Sequence, residues 1–350
     1  LDESMQIAEV KREGVYSISM LYRAGVRRKW TLFLVLLLCI VAVAGFALSR
    51  GAYAVGFMAL MDVLFGHAEG AARTVFSSIR LPRVCAALFC GWGLAVSGLV
   101  IQTLLKNPLG SASTLGISQG AAFGAALSIV VFRAGIQAVT AAAFLGAMAT
   151  TVIILFLARI KQLTAEAVIL AGVALSALFS SATILIQYVA TEIQLAIVVF
   201  WTFGDVGRPD WMQIAVMAVA TLLSTLYFVY LRWDLNAVAS GEDTALGLGV
   251  RVNRIRLSGM IVVALVAAFA TAFHGVIAFV GLIAPHIARR LVGEDHGLLI
   301  AFSAVIGALL LLSADTFGRV VVGSGSIPVG VITSFLGAPM FLYLLIRGYR

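Results

Sequence analysis

The chain is poor in charge and lacks the common nucleotide-binding motif. Only 11% of its 350 residues are charged, while 62% are apolar, and a soluble domain carries about 25% charged residues. Water is therefore not the main solvent of this chain. Four of the 24 basic residues are lysines, and none stands in a Gly-x-x-x-x-Gly-Lys-Ser/Thr loop. Any nucleotide energy that the protein uses must come from another subunit.

Residues for catalysis and metal binding are also few. The three cysteines, Cys39, Cys85 and Cys90, lie in apolar runs, which predicts small buried side chains rather than disulfides or metal ligands. The four histidines are scattered, and none forms a His-Glu-x-x-His pair. Ser324 and Ser326 are typical of a turn rather than of a catalytic elbow. We therefore expect no catalytic residues, no metal site and no cofactor, and interpret the chain as a protein other than an enzyme.

The net charge of +8 has two explanations. A basic protein can bind nucleic acid, but basic residues also accumulate in the cytoplasmic loops of membrane proteins. The apolar composition favours the second explanation, so we expect contact with membrane lipid and none with nucleic acid.

Ten apolar runs predict an all-α, polytopic membrane protein of about ten transmembrane helices. The predicted helices cover residues 31–49, 81–105, a third from about 115, then 137–158, 165–189, 211–231, 257–272, 276–290, 297–314 and 329–346. Residues 1–29 form a polar N-terminal arm, and residues 30–350 form the transmembrane domain. Polar loops are expected at 50–80, with or without a short surface helix, and at 190–210. Joining the seventh and eighth runs into one span would leave nine helices.

The distribution of basic residues predicts the orientation. With the N-terminus in the cytoplasm, 17 of the 24 basic residues fall on the cytoplasmic side. This excess favours cytoplasmic N- and C-termini.

Acidic residues are scarce at the depth of the membrane midplane. Glu166 falls near the inner end of the fifth predicted helix, and Asp315 near the outer end of the ninth. Ion-driven secondary transporters usually keep acidic residues or unwound helices near the midplane. The sequence therefore argues against a secondary transporter, although a carrier with a small or apolar lining stays open as an alternative.

Three arginines are predicted on the outer side. Arg80 and Arg83 stand three residues apart at the start of the second helix, and Arg319 follows Asp315 by four residues, a spacing that permits an ion pair within a helix. These arginines either reach the membrane interface with their long side chains or form a basic patch that binds an acidic partner.

Three further patterns are candidates for function. Residues 240–249 include Gly241, Glu242, Ala245, Leu248 and Gly249, and they predict a short amphipathic helix at the inner surface that is either part of an ordinary loop or inserts into a groove of a partner.

The turn Asn107-Pro108-Leu109 stops a helix and is either a simple turn or an inner constriction. Gly116, Gly120 and Gly124 fall on one helical face and predict close helix packing, with direct substrate contact as the alternative.

Six segments in this order resemble the permease family of ATP-binding-cassette (ABC) importers for iron–siderophore complexes, haem and cobalamin. The segments are RLPRV (80–84), KNPLGSASTLGISQGAAFGA (106–125), SGEDTALGLGV (240–250), GVIAFVGLIAPHIARRLVGEDH (275–296), SADTFGR (313–319) and IPVGVITSFLGAPMFLYLL (327–345). The resemblance covers about residues 75–350 and excludes residues 1–29.

The resemblance implies a type II importer permease of the bacterial cytoplasmic (inner) membrane. It implies a homodimer, two cytoplasmic ATP-binding subunits and an extracytoplasmic substrate-binding protein, with an iron chelate as the cargo and cobalamin as the alternative.

Residue roles follow from the same resemblance. Arg80, Arg83 and Arg319 would meet glutamates of the binding protein, residues 241–250 would contact the ATPase, and Asn107-Pro108-Leu109 would form the inner gate. Glu166 departs from the family, which would have a small polar residue at this position.

Overall fold

The computed structural model describes residues 2–50, 71–322 and 326–347, and within these ranges the chain is helical and contains no strand. Ten helices correspond to the predicted spans: α1 (Asp2–Ser49), α2 (Leu81–Leu104), α3 (Ile117–Val130), α4 (Ile136–Ile160), α5 (Ala165–Tyr188), α7 (Trp211–Tyr230), α10 (Val252–His274), α11 (Val280–Val292), α12 (His296–Val322) and α13 (Val329–Arg347). The shorter helices α6 (Glu192–Thr202), α8 (Arg232–Ser240) and α9 (Glu242–Gly247) lie between these spans.

The all-α prediction is confirmed, and the seventh and eighth predicted spans are separate helices. Gly275 follows α10 with a φ of +75°, a conformation that favours glycine, and residues 275–279 are not helical. The alternative of nine helices, in which the seventh and eighth runs form one span, is therefore wrong for the described residues. By length and composition, seven of the described helices can cross a membrane, and α3, α6 and residues 329–340 of α13 are shorter apolar helices.

The structure differs from the predicted loops in two places. The prediction of a loop at 190–210 is wrong for α6, which begins with a capping box between Thr191 and Gln194. The charged residues at both ends of this segment favour a loop, whereas its short apolar run at residues 195–201 forms the helix. The predicted loop at 50–80 lies mostly at 51–70, outside the described residues, as does Ser324; residues 71–80 are helical and continue into α2 through a π-helical turn at Val75–Arg80.

The helix α2 lies at the centre of the bundle. It packs against α7, α10, α11 and α12, and most of its residues are buried. A methyl group on Gly91 would overlap with the carbonyl oxygen of Gly307 on α12, and one on Gly98 would overlap with the carbonyl oxygen of Gly281 on α11. Glycine therefore permits backbone-to-backbone contact on two sides of α2.

The predicted glycine face packs in the same way. Gly116 precedes α3 with a φ of +79° and lies against α5, where Gly172 is one of its neighbours. Gly120 lies against Gly146, and Gly124 lies against Ala142, both on α4. These contacts agree with a packing role for the three glycines.

We predict that Gly124→Ala destabilises the protein by about 1–3 kcal/mol, the usual cost of overpacking. The added methyl group meets the backbone carbonyl of Ala142, which cannot rotate away. Thermal unfolding in detergent measures the effect. Gly135→Ala is the control because no atom lies within 4 Å of the added methyl group, and equal stability of the two variants would contradict close α3–α4 packing.

Candidate functional site

A buried charge cluster joins the helices at the end of the bundle where α2 begins. We name this the outer end, following the predicted orientation, and the opposite end the inner end. Asp315 of α12 has a side chain that is 1% exposed, and its Oδ1 lies 2.8 Å from Nη2 of Arg83 on α2. Its Oδ2 accepts a hydrogen bond from Nε of Arg319 at 3.1 Å. The predicted ion pair between residues 315 and 319 is therefore confirmed.

A second carboxylate completes this outer cluster. Asp205, in the loop after α6, accepts hydrogen bonds from Nη2 of Arg83 at 3.2 Å and from the backbone N–H of Gly207 at 2.8 Å. The side chain of Arg83 is only 14% exposed. Arg83 thus holds α2, α12 and the loop after α6 together with two ion pairs.

The other two predicted arginines bind the end of α1. Arg80 Nη1 donates to the carbonyl oxygen of Leu48 at 2.6 Å, and Arg319 Nη1 donates to that of Ala47 at 3.2 Å. Carbonyls in the last turn of a helix lack partners within the helix and attract cations. Arg80 and Arg319 therefore stabilise the contact of α1 with the rest of the bundle.

The sequence leaves these arginines either as interfacial side chains or as a basic docking patch, and in the structure they are largely buried. Arg80 is 4% exposed, and the side chain of Arg319 is 11% exposed. Their partners, Asp205 and the last carbonyls of α1, lie far away in sequence, so spacing along the chain could not reveal them. Arg319 Nη2 is buried and has no hydrogen-bond acceptor in the described part of the chain.

The short helix predicted at the inner surface is present as α9. Gly241 precedes it with a φ of +139°, and Gly249 follows it with a φ of +82°. Ala245 is buried in a small apolar cluster with α8 and the start of α10. Leu246 and Leu248 are 58% and 69% exposed. The helix therefore directs one face into the protein, and Leu246 in the helix and Leu248 directly after it face outward.

The predicted turn at Asn107-Pro108-Leu109 lies close to α9. The Asn107 side-chain oxygen accepts a hydrogen bond from the N–H of Leu109 at 2.9 Å, and this local bond fixes the turn. A methyl group on Gly241 would lie 4.0 Å from Nζ of Lys106. The turn and the N-terminus of α9 are therefore neighbours at the inner end.

Hydrogen bonds that sequence analysis missed surround this turn. Arg289 Nη1 donates to Oε1 of Gln102 at 2.6 Å, and the Gln102 amide donates to the carbonyl oxygen of Gly281 at 3.0 Å. Asp295 accepts a hydrogen bond from the amide of Asn236 at 2.8 Å, and this bond is the main reason that the pKa of Asp295 lies below its ordinary value.

A cavity of about 440 Å³ opens among these groups. Its lining includes Lys106, His286, Arg289 and Arg290. In the sequence, the lysine and the arginines indicate only orientation, because no motif distinguishes them from other basic residues at an inner surface.

Glu166 lies in the first turn of α5, where Thr164 caps the helix. It is exposed, and no ion pair to it occurs among the described residues. A carboxylate in the first turn is favourable because the helix N-terminus carries a partial positive charge. The charge of Glu166 is therefore compatible with this position.

Comparison with known proteins identifies the family. The model of the FecCD transport family matches residues 33–347. The chain belongs to the FecCD transport family. It is a multi-pass membrane protein and a permease of the ABC importer type.

Two relatives and one solved structure illustrate the similarity of this FecCD protein to others. An ABC transporter permease protein of Methanocaldococcus jannaschii is 46% identical, over 94% of this chain and 98% of the relative. The hemin transport system permease protein HmuU of Yersinia pestis is 35% identical, over 90% of this chain and 94% of the relative. A structure described as an inward-facing conformation of a metal-chelate type ABC transporter has a TM-score of 0.81 and 31% identity, over 91% of this chain and 99% of that chain.

We predict that Asp315→Asn destabilises this FecCD protein by about 3–5 kcal/mol, because it leaves two buried arginines without their shared carboxylate. Asp205→Asn should cost about 1 kcal/mol or less, since the Asp205 side chain is 29% exposed and water can replace part of the lost interaction. Thermal unfolding in detergent compares the two variants, and equal losses would show that Asp315 is not the centre of the cluster.

Proposed function

We propose that this chain is the permease subunit of a binding-protein-dependent ABC importer that moves an iron chelate, either a ferric siderophore or haem, across the bacterial cytoplasmic membrane. It acts as a homodimer with two cytoplasmic ATP-binding subunits and an extracytoplasmic substrate-binding protein. Both termini of each subunit are cytoplasmic. The permease performs no bond chemistry.

The arrangement of α9 carries this proposal. The six-residue helix α9, beside the turn at residue 107, carries the exposed Leu246, and a second exposed leucine, Leu248, follows it directly. Exposed apolar side chains on a short, well-packed helix are suited to a groove in a partner. The family membership supports an ATP-binding subunit as that partner, and the hemin permease and the metal-chelate transporter among the similar proteins support an iron chelate as the cargo.

The outer cluster supplies the second contact surface. We propose that an acidic side chain of the binding protein approaches the guanidinium group of Arg319, whose side chain is 11% exposed. Its buried Nη2, which has no acceptor in the described residues, becomes accessible when the outer helix ends move. Arg83 and Arg319 are already neutralised by Asp315 and Asp205, so the incoming carboxylate competes with these internal partners. Docking is thereby linked to the contacts that hold the outer ends of α1, α2 and α12.

Reconstitution in proteoliposomes with the ATPase and the binding protein tests the function. We expect ATP-dependent uptake, and we expect Leu248→Asp to reduce both ATPase capture and uptake by about tenfold or more, because a buried charge at a partner contact costs several kcal/mol. Leu248→Met is the matched control, since it keeps an apolar side chain of similar size.

Three results would contradict the proposal. Uptake driven by an ion gradient without the ATPase would indicate a secondary transporter. Transport of cobalamin in place of haem and ferric siderophores would overturn the proposed cargo. Normal ATPase capture and uptake by the Leu248→Asp variant would place the ATPase contact elsewhere.

Docking at the outer end predicts a change in affinity and in its salt dependence. Arg319→Gln should weaken binding-protein association by about tenfold at low salt and by less at high salt, because salt screens the lost charge. Arg133→Gln is the control, because Arg133 is an exposed arginine in the turn between α3 and α4. Titration of both variants at two ionic strengths measures the effect, and an unchanged Kd for the Arg319→Gln variant would refute docking at this residue.

A further inference from the structure

Arg256 is a buried cation at the inner end of the bundle. It lies near the start of α10, and its residue surface is 1% exposed. A buried charge costs several kcal/mol unless its hydrogen-bonding groups are satisfied. The groups that bind Arg256 therefore show which segments of the inner end it holds together.

The guanidinium group binds two turns that end helices. Nε donates to the carbonyl oxygen of Leu104 at 3.2 Å, and Nη1 donates to that of Leu163 at 2.5 Å. Leu104 is the last residue of α2, directly before the turn at 105–110. Leu163 lies in the turn between α4 and α5 with a φ of +58°. Arg256 thus joins the inner ends of two helix pairs.

The third contact of Arg256 reaches α9. Nη2 lies 3.1 Å from Oε2 of Glu242, in the first turn of α9, and the Glu242 side chain is 44% exposed. One planar group therefore connects a helix at the protein surface with the backbone at Leu104. The fixed fork of a guanidinium resists changes in the relative position of its partners more than a lysine does.

A parallel link runs from α8, the helix before α9. The Asn236 side-chain oxygen lies 2.7 Å from Nδ1 of His296, and Nε2 of the same ring lies 2.8 Å from Oγ1 of Thr103. Thr103 and Leu104 are adjacent at the end of α2. The two links from the segment 232–247 therefore end at the same point, just before the turn at 105–110.

We propose that Arg256 is a positioning residue that couples movement of α9 to the turn at Asn107-Pro108-Leu109. The inference rests on the proposed function, in which the ATPase contacts α9. When α9 moves, the ion pair either breaks and leaves a buried charge unpaired or pulls the Leu104 carbonyl along. The cost of an unpaired buried charge favours the second outcome. Arg256 acts through the backbone and makes no contact with substrate.

The test follows α9 and the turn separately in the complete complex. Single cysteines replace Gly247 on α9, where no atom lies within 4 Å of an added side-chain carbon, or Leu109 in the turn. The three native cysteines are replaced by alanine, and each single cysteine carries a spin label. The permease is assembled with its ATPase and binding protein in nanodiscs. The ratio of the ATP-dependent displacement of the label at residue 109 to that of the label at residue 247 measures the coupling.

We expect Glu242→Gln to lower this ratio by about fivefold or more, because the coupling between two sites typically changes an equilibrium by at least about this factor. Asp243→Asn is the matched control, because Asp243 also lies in the first turn of α9 and is exposed. Both variants lose one acidic charge from α9, so they share any effect on ATPase docking. Arg256→Lys should also lower the ratio, because an ammonium group cannot reproduce the three-way fork; if that variant does not fold, Glu242→Gln decides.

Two outcomes would overturn the inference: a ratio in the Glu242→Gln variant equal to that of the Asp243→Asn variant, or a wild-type complex that transports while the label at residue 109 does not respond to ATP. A wild-type complex that shows no ATP-driven uptake would instead refute the proposed function, and the two failures are thus distinguishable. A purely structural Arg256 would change thermal stability without changing the ratio.

Discussion

The enclosure of α2 is the constraint on which the other contacts depend. This helix is surrounded by α7, α10, α11 and α12, and an ordinary side chain at Gly91 or Gly98 would collide with a neighbouring backbone. In lipid, helices associate largely through van der Waals packing rather than through the hydrophobic effect, so close approach of two helices stabilises their contact. Because α2 is held on several sides, its two ends lie at defined positions, and polar groups there can be matched to partners from distant segments.

Arginines satisfy the backbone at both ends of the bundle. At the outer end, Arg80 and Arg319 donate to the last carbonyls of α1. At the inner end, Arg256 donates to the carbonyls of Leu104 and Leu163. A carbonyl in a helix end that is buried away from water needs a donor, and a guanidinium group can serve several at once. The same groups that stabilise helix ends therefore also connect the surfaces proposed to meet partners.

Sequence patterns predicted the elements better than the contacts between them. Long apolar runs located ten helices because a membrane span needs about 20 apolar residues, and the spacing of Asp315 and Arg319 predicted their ion pair. The helix α6 was missed because charged and polar residues flank its short apolar run. The Arg83–Asp205 and Arg256–Leu163 contacts join residues far apart in the chain, and no local pattern encodes such pairs. The burial of the outer arginines was not predicted for the same reason. A sequence does not distinguish a buried arginine from a surface arginine when its partner lies far along the chain.

The two proposed contact surfaces meet on one structural element. Arg83, in the first turn of α2, carries the outer ion pairs, and Leu104, its last residue, receives the inner hydrogen bond from Arg256. With 24 residues and a rise of 1.5 Å per residue, α2 is about 36 Å long. A helix that is enclosed and hydrogen-bonded along its length moves as a rigid body more readily than it bends, since tightly packed interiors deform little. A shift imposed at one end of α2 therefore moves the other end. The proposed docking of the binding protein at the outer end and the proposed ATPase contact at the inner end can thus act on the same helix without a continuous chain of side chains between them.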